Sequence, residues 1–490
     1  DEDASNTYSF THALVRDAAY GSLLRKRRRE LHGTIAEALR GRDSAHDRAL
    51  PELLAHHLTA ANRPLDAAPY WLAAGQRAME RAAVSEATTH LAKGLEALAD
   101  APEGAQRAQL QLELTFSQAT MLQGTLGHGA PQVGDAFSRA RELSEAVGDT
   151  AMLLKVLPGL GQFYIPRGGA ELATELNART IALAEEARNP VVQSHAYRGR
   201  GFMLALQGHL RDAMDNIDRA IECLTVDTDP SHQYIVHPLL FAQTWQAMLL
   251  SWQGHVDEAR RIQHEILERC LADGHPYIVQ SAYAYTALLA EVWEDVEAVL
   301  EASSEHVALG ERFPNPLYGA MGLMHHGWAV ARQGNSEAGI QEFLEGLAGF
   351  RATGSRATLP MYLGLLGSLY LEAGDVDASR ETVDELFDVV EATQERSALP
   401  EALRLRAEAA HLEGDDPTAV ATAHGALALA WKQGAGGWEL LCAHSLALFT
   451  KDRAAATELS TTLDRLHGGQ DTPLVVRATA LRDELAGTLA

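Results

Sequence analysis

Glycines that can close a helix recur at a nearly constant spacing along most of the chain. They are Gly168, Gly208, Gly254, Gly334, Gly374 and Gly414. The intervals between them are 40, 46, 80, 40 and 40 residues, and the interval of 80 has Glu294 at its midpoint. A glycine just past a helix end readily adopts the left-handed conformation that closes the helix. The spacing therefore predicts repeated helical hairpins, one of which lacks the turn glycine.

Small residues flank these seven turns at two fixed distances. Seven residues before the turn the residue is always glycine or alanine: Gly161, Gly201, Ala247, Ala287, Gly327, Gly367 and Ala407. Five residues after the turn it is again small, except at Val299. Two helices can approach to about 8 Å only where the contact residues are small. Proline, which suits the first turn of a helix, precedes six of the turns by 14–18 residues. The pattern predicts closely packed antiparallel helix pairs.

The register is weaker in the first 150 residues. Asn62 and Ala82 each fit as a turn residue, yet they are only 20 residues apart. We expect Ala82 to be the hairpin turn, because this choice leaves the helices evenly paired.

Composition and charge exclude several classes of protein. Acidic residues outnumber basic ones by 66 to 41, and this excess repels phosphate backbones, so we expect no nucleic-acid partner. The three cysteines, Cys223, Cys270 and Cys442, lie far apart, which fits a reducing cytoplasm. No apolar run reaches the length of a membrane span. We therefore expect a cytoplasmic protein without a membrane segment, and the opening at Asp1 indicates a piece of a longer protein.

The hairpin pattern resembles the tetratricopeptide repeat family. That family has a small residue, a turn glycine and an alanine at the relative positions seen around Gly374, with proline between units. Its period is about 34 residues, whereas the period here is 40, so longer helices are expected. The resemblance implies an all-α fold, namely a right-handed α-solenoid of tetratricopeptide-like helical hairpins.

The N-terminal part resembles the join between ATPase and repeat region in bacterial multidomain signalling ATPases of the AAA and STAND type. These include adenylate or guanylate cyclase-associated proteins and LuxR-type regulators. The residues that carry the resemblance are Tyr8–Leu39, Pro51–Leu58 and Ala68–Leu98. In that family the first segment is the last piece of a winged-helix region, and Thr7–Phe10 alternates like a short strand. The resemblance implies a nucleotide-binding domain upstream in the parent protein.

These observations divide the chain into four parts. Residues 1–45 are expected to form a short winged-helix remnant and linker of the upstream ATPase. Residues 46–150 are expected to form N-terminal helical hairpins, and 151–435 the regular tetratricopeptide-like repeats. Residues 436–490 are expected to form the last hairpin and a capping helix. An array can reach 490 residues because each unit packs only on its neighbours.

Motifs for catalysis are missing from the sequence. It contains no phosphate-binding loop, no dinucleotide fingerprint and no nucleophile elbow. Neither His56-His57 nor His325-His326 can clamp one metal ion alone, because adjacent helical residues point about 100° apart. We therefore expect no catalytic residue, cofactor or metal, and no enzyme activity in this chain. The basic run Arg25–Arg29 is interpreted as the solvated start of a helix or a contact within the parent protein.

Aromatic residues on three consecutive first helices are the most suggestive feature for function. The candidate groove residues are Tyr234, Trp245, Trp252, Tyr277, Tyr285, Trp293, Tyr318 and Trp328. In tetratricopeptide arrays, first helices line the concave groove, as the resemblance implies, and aromatic side chains are frequent interface anchors. The alternative is that these side chains fill gaps between units.

The sequence as a whole predicts a non-catalytic repeat module that binds a protein or peptide, or senses a small-molecule effector. It would regulate an upstream ATPase or cyclase within the same protein. The alternative is the sensor or oligomerisation region of a LuxR-type transcriptional regulator.

Overall fold

The computed structural model describes residues 13–41, 51–127, 129–164, 167, 169–224 and 238–488. The predicted strand Thr7–Phe10, the turn residue Gly168 and the groove residue Tyr234 lie outside these residues. The chain forms two compact units, which are described separately. Unit 1 extends to Met121 and includes residues 146–148, and unit 2 comprises Leu122–Glu145 and Asp149–Ala490.

The described residues form 24 helices and no β-strand. In chain order they are α1 (Ala13–Ser22), α2 (Arg25–Gly41), α3 (Pro51–Ala60), α4 (Pro64–Glu80), α5 (Val84–Ala99), α6 (Ala105–Leu126), α7 (Pro131–Val147), α8 (Thr150–Tyr164), α9 (Ala170–Glu186), α10 (Pro190–Leu206), α11 (Leu210–Glu222), α12 (Pro238–Gln253), α13 (Val256–Asp273), α14 (Pro276–Glu291), α15 (Val296–Arg312), α16 (Pro316–Arg332), α17 (Ser336–Ala352), α18 (Leu359–Glu372), α19 (Val376–Thr393), α20 (Leu399–Leu412), α21 (Asp416–Gln433), α22 (Gly436–Thr450), α23 (Arg453–Asp464) and α24 (Pro473–Thr488).

Unit 1 shows how the two competing turn residues are used. Asn62 (φ 60°) lies in the turn between α3 and α4, and Ala82 (φ 56°) in the turn between α4 and α5. Helix α4 packs against both of its neighbours, with Trp71 buried at their centre. Ala82 is thus a hairpin turn, as expected. Asn62 is a turn residue as well, so the expectation that only one of the two closes a helix is wrong. The ten-residue helix α3 is short enough to pack as an additional element on α4.

Unit 2 confirms the predicted turns. Gly208, Gly254, Gly334, Gly374 and Gly414 have φ values between 81° and 103°. Glu294 has a φ of 58°, so it adopts the left-handed conformation although it is not a glycine. Eight successive helix pairs, from α8/α9 to α22/α23, pack within the described part of this unit. The predicted hairpin that lacks its glycine is therefore present, and its turn residue is strained.

Packing at the small positions is closest in the hairpin α16/α17. A Cβ atom added to Gly339 would lie 2.3 Å from the Ala331 amide nitrogen and 2.5 Å from the Gly327 carbonyl oxygen. In the hairpin α18/α19, the Ser379 hydroxyl donates to the Gly367 carbonyl at 2.9 Å. The small-residue spacing thus reflects helices whose backbones nearly touch.

Caps and prolines fix where the helices of unit 2 begin. The Asp375 and Asp415 carboxylates accept hydrogen bonds from amides three residues further on, at 3.0 and 3.2 Å. Pro190, Pro276 and Pro316 each occupy the first position of a helix. Both devices suit the first turn, whose amides have no partner within the helix.

The first helices of six successive hairpins in unit 2 form a closed ring. Each of α12, α14, α16, α18, α20 and α22 contacts the next, and α22 contacts α12. Where the ring closes, the His467 amide donates to the Gly254 carbonyl at 2.9 Å and the Val256 amide donates to the His467 carbonyl at 3.0 Å. Arg260 reaches Asp471 at 2.9 Å beside this contact. The concave side of this part of the array is therefore the interior of a ring.

Candidate functional site

A small cavity of about 50 Å³ lies inside the six-helix ring of unit 2. Its wall is mostly apolar and includes Leu288, Met361, Leu365 and Trp438. Five charged side chains from three of the hairpins also line it, namely Glu291, Glu294, Arg332, Glu401 and Arg404. A partly open, mostly apolar space with a few convergent polar groups has the character of a ligand site.

Glu294 and Arg332 form a buried ion pair in the cavity wall. Their side chains are each 11% exposed, and the Glu294 Oε1 atom lies 3.1 Å from Arg332 Nη1. The other oxygen of Glu294 lies 2.5 Å from Arg477 Nη2. Arg332 also donates to the Ser368 hydroxyl at 3.1 Å and contacts Glu372. Burial alone would raise the pKa of Glu294, but the two guanidinium groups hold it below its ordinary value.

Arg404 is held by two carboxylates on its own helix. Its Nε and Nη2 atoms donate to the two oxygens of Glu401 at 2.7 and 2.6 Å, and its Nη1 donates to Glu408 at 2.5 Å. The Ser445 hydroxyl adds a hydrogen bond to Glu408 at 2.6 Å. Although burial opposes the charge, both carboxylates raise the pKa of Arg404 well above its ordinary value. This bidentate arrangement uses all three nitrogen atoms of the guanidinium group.

Glu291 has no guanidinium partner. Its side chain is 1% exposed, and its Oε1 atom lies 2.7 Å from Nδ1 of the fully buried His325. The second oxygen of Glu291 and the Nε2 atom of His325 lack a hydrogen-bond partner, as does the Tyr362 hydroxyl. Burial, and then the Glu291 charge, raises the pKa of Tyr362. Buried polar atoms are rarely left without partners, so this cluster, of which Glu291 lines the cavity, requires an explanation.

The predicted aromatic residues lie mainly in the core of unit 2. Trp245 packs against Trp252 and Tyr285 with ring centroids 6.3 and 5.9 Å apart, and Trp252 packs against Trp438 at 5.7 Å. The Trp293 indole donates to the Ser251 hydroxyl at 2.9 Å. The tryptophans Trp245, Trp252, Trp293 and Trp328 are at most 2% exposed, Tyr277 is 9% exposed, and Tyr285 and Tyr318 are partly buried. Of these described residues, only Trp328 lines the cavity.

Sequence reasoning missed the charged residues of the cavity wall. Arg332 stands two residues before the turn residue of its hairpin, Glu291 three residues before, and Arg404 ten residues before. Trp328 stands six residues before its own turn residue. Residues three or four apart share one helix face, so all four positions belong to the inner face. The turn spacing, applied to charged residues as well as to aromatic ones, could have found them.

Other sites in the described residues offer less convergent chemistry. Trp431 is 64% exposed beside a second cleft, whose wall includes Leu427, Leu446 and Glu458. In unit 1, the Nδ1 atoms of His32 and His57 lie 2.8 Å apart, and burial followed by neighbouring histidines lowers the pKa of His57.

No group of three or more His, Cys, Asp or Glu side chains in the described ranges is arranged to hold a metal ion. None of the described helices is both long and apolar enough to cross a bilayer. In the basic run Arg25–Arg29, four of the five side chains are exposed, and Arg28 lies over the Tyr20 ring at 5.2 Å.

Comparison with known proteins gives one relative in sequence and several in structure. No family model matches the chain. The chain is 23% identical over 458 residues to an uncharacterised protein of Rhizobium meliloti (strain 1021), a match that covers 90% of this chain and 43% of the relative. The chain thus spans less than half the length of that protein.

Two solved structures illustrate the structural likeness. A Rap protein in complex with competence and sporulation factor has a TM-score of 0.53 at 13% identity, covering 75% of this chain and 99% of that chain. A STAND signal-transduction ATPase with a tetratricopeptide repeat sensor, from Pyrococcus horikoshii, has a TM-score of 0.40 at 14% identity, covering 82% and 60% respectively.

The fold is therefore that of the tetratricopeptide-type helical repeat proteins, and the predicted all-α array of hairpins is confirmed. The comparisons indicate no catalytic family. The described part of unit 2 combines this fold with a ring of six inner helices around a cavity with buried charges.

Proposed function

We propose that this chain is a ligand-sensing module and that the cavity of the six-helix ring holds the ligand. The observation that carries the proposal is the polar cluster at the cavity wall, where the buried carboxylate of Glu291 has an oxygen without a partner. A structural core would gain stability by replacing such a group with an apolar one. A ligand that supplies the missing hydrogen bond would account for it.

The protein context is part of the same proposal. We infer that the chain belongs to a longer cytoplasmic signalling protein and regulates an ATPase or cyclase domain within it. The resemblance of residues 7–98 to signalling ATPases supports this, and so does the greater length of the Rhizobium relative. The Rap structure was solved with a bound factor, which is consistent with a ligand-binding role for the fold.

Of the aromatic residues predicted to line a groove, this proposal retains only one as a ligand contact. Trp328 is retained as a ligand-contacting residue because it lines the cavity. The remaining described aromatic residues of that set would support the ring from within the core. Trp245 and Trp252, for example, pack edge to face with each other and would fix the spacing of neighbouring helices.

A thermal-shift screen tests the proposed site. Peptides and small metabolites would be added to the purified chain, to a Leu365→Trp variant that fills the cavity, and to a Leu271→Trp control. Leu271 is 49% exposed on α13 and does not line the cavity. We expect a ligand to raise the Tm of the wild type and the control, but not of the cavity-filled variant. Equal stabilisation of all three proteins would place the ligand elsewhere and contradict the proposal.

The signalling output is tested in the full-length protein. If the ATPase context is right, a ligand found in the screen changes nucleotide turnover by the full-length protein, and the Leu365→Trp change abolishes this response. The LuxR-type alternative predicts instead that the ligand changes DNA binding by the full-length protein.

A further inference from the structure

We infer that the cavity recognises its ligand through a cationic amine or guanidinium group bound by Glu291. This inference rests on the proposed function and specifies the chemistry of the ligand. It follows from the charges in the cavity wall, where three carboxylates, Glu291, Glu294 and Glu401, face two guanidinium groups, Arg332 and Arg404.

The two arginines are already neutralised by the protein. Arg332 is paired with Glu294 at 3.1 Å and with Glu372, and Arg404 is paired with Glu401 at 2.6 Å and with Glu408 at 2.5 Å. Of the three guanidinium nitrogens of Arg332, Nε lacks a hydrogen-bond acceptor. Binding of a carboxylate or phosphate normally uses the paired donors of a free guanidinium fork. The cavity wall therefore offers no free cation for an anionic ligand.

Glu291 is the complementary case, a carboxyl group that none of the arginines of the wall contacts. Its single hydrogen bond is to His325 Nδ1, and its Oε2 atom is buried without a donor. An ammonium or guanidinium group at Oε2 would supply both the missing hydrogen bond and a compensating charge. Because Glu291 is buried, such an ion pair would be screened less than one on the surface.

The rest of the wall suits an organic cation more than a metal ion. Leu288, Met361 and Leu365 provide apolar surface for a hydrocarbon body, and the Trp438 ring adds an aromatic surface of the kind that attracts cations. The free Nε–H of Arg332 and the unpartnered indole N–H of Trp328 could each donate to a neutral carbonyl or hydroxyl oxygen. The expected ligand thus has a cationic group, an apolar body and a neutral acceptor.

Two sources share this chemistry, a free small amine and the basic side chain of a peptide. Calorimetric titration with agmatine represents the first source, and titration with the tripeptide Gly-Arg-Leu represents the second. The peptides Gly-Gln-Leu and Gly-Glu-Leu keep the same backbone but replace the cation with a neutral or an anionic side chain. This series tests charge selectivity on the wild-type chain, so it does not depend on a variant that folds.

We expect at least one cationic probe to bind with a Kd below about 1 mM, and the neutral and anionic peptides to bind at least tenfold more weakly. Glu291→Gln removes the charge but keeps the shape of the side chain. This variant should bind the cationic probe at least tenfold more weakly, with little change in its circular dichroism spectrum. Glu297→Gln, on the exposed face of α15, is the matched control and should leave binding unchanged.

The possible failures separate this inference from the proposed function. If Gly-Gln-Leu binds as tightly as Gly-Arg-Leu, or if Glu291→Gln has no effect, the inference is wrong. It is also wrong if neither cationic probe binds below about 1 mM. If the thermal-shift screen then yields an uncharged or anionic compound whose effect is lost in Leu365→Trp, the proposed ligand site stands and only the cation assignment falls. If that screen yields no such compound, both fall.

Discussion

The neighbouring hairpins α14/α15 and α16/α17 have the same helix–turn–helix arrangement. They carry different residues at the turn, seven residues before it and five residues after it. The second has glycines at all three positions, Gly327, Gly334 and Gly339. Gly334 is exposed, and a Cβ atom there would meet nothing within 4 Å. In the first hairpin the turn residue is Glu294, which is buried, left-handed and paired with two arginines.

The difference shows what the repeat requires and what it permits. Close packing needs small residues beside the turn, but the turn itself accepts another residue at a cost of about 1–3 kcal/mol in backbone strain. At Glu294 the strained residue places a carboxylate between Arg332 of the cavity wall and Arg477 of α24. The departure from the repeat pattern thus coincides with the wall of the candidate site.

The largest expected effect comes from giving α16/α17 the residue of its neighbour. Gly339→Val places at this position the residue that α15 has at Val299, but the backbone atoms of Gly327 and Ala331 leave no room for it. We expect the free energy of unfolding to fall by about 4 kcal/mol, measured by urea denaturation followed by circular dichroism. Gly334→Ala, which meets open space but keeps a positive φ, should cost about 1 kcal/mol. Equal costs for the two variants would contradict the close packing.

A second buried glutamate sharpens the comparison, because it lacks the arginines that hold Glu294. Glu395 is 3% exposed and accepts hydrogen bonds from the Thr358 amide at 3.0 and 3.1 Å. Burial raises its pKa from 4.5 to about 8. The folded protein therefore keeps this proton while the unfolded chain releases it, and stability contributed by the protonated group is lost as the pH rises from about 4.5 to about 8.

Glu395→Gln should remove this dependence, because glutamine is neutral and can still accept from Thr358. We expect the variant and the wild type to be equally stable near pH 4, and the variant to be more stable by about 4 kcal/mol at pH 8. Urea denaturation across this range measures the difference, with Glu297→Gln as an exposed control. If the free energy of unfolding varied with pH in the same way in the wild type and in Glu395→Gln, Glu395 would be charged in the folded protein.

The two hairpins also show how far sequence reasoning reaches. The turns at Gly334 and Glu294 were predictable because a turn, its caps and its small neighbours depend on residues within one repeat. Ring closure was not predictable, because it depends on the accumulated rotation of several repeats, which brings together residues as distant as Arg260 and Asp471. Glu291 and His325 were predictable in part. Both occupy inner-face positions of adjacent repeats, so the repeat pattern places them on the same side. Their burial, however, follows only from the closed ring.

The smallest expected effect comes from giving α14/α15 the turn residue of its neighbour, because two contributions oppose each other in Glu294→Gly. Glycine relieves the left-handed strain by about 1 kcal/mol, but the variant loses the ion pairs with Arg332 and Arg477. We expect the free energy of unfolding to fall by about 1–2 kcal/mol at pH 7, measured by urea denaturation.

The effect of Glu294→Gly should also depend on pH. Since the pKa of Glu294 is lowered in the folded protein, the stability that its ionised form contributes is present above the ordinary pKa of 4.5 and is lost as the pH falls through the folded-state pKa. The difference should therefore shrink below pH 4.5 and reverse in favour of glycine, whereas Glu294→Gln, which keeps the strain, should show no reversal. A glycine variant less stable than wild type at every pH would mean that the turn, and not the ion pairs, is what Glu294 stabilises.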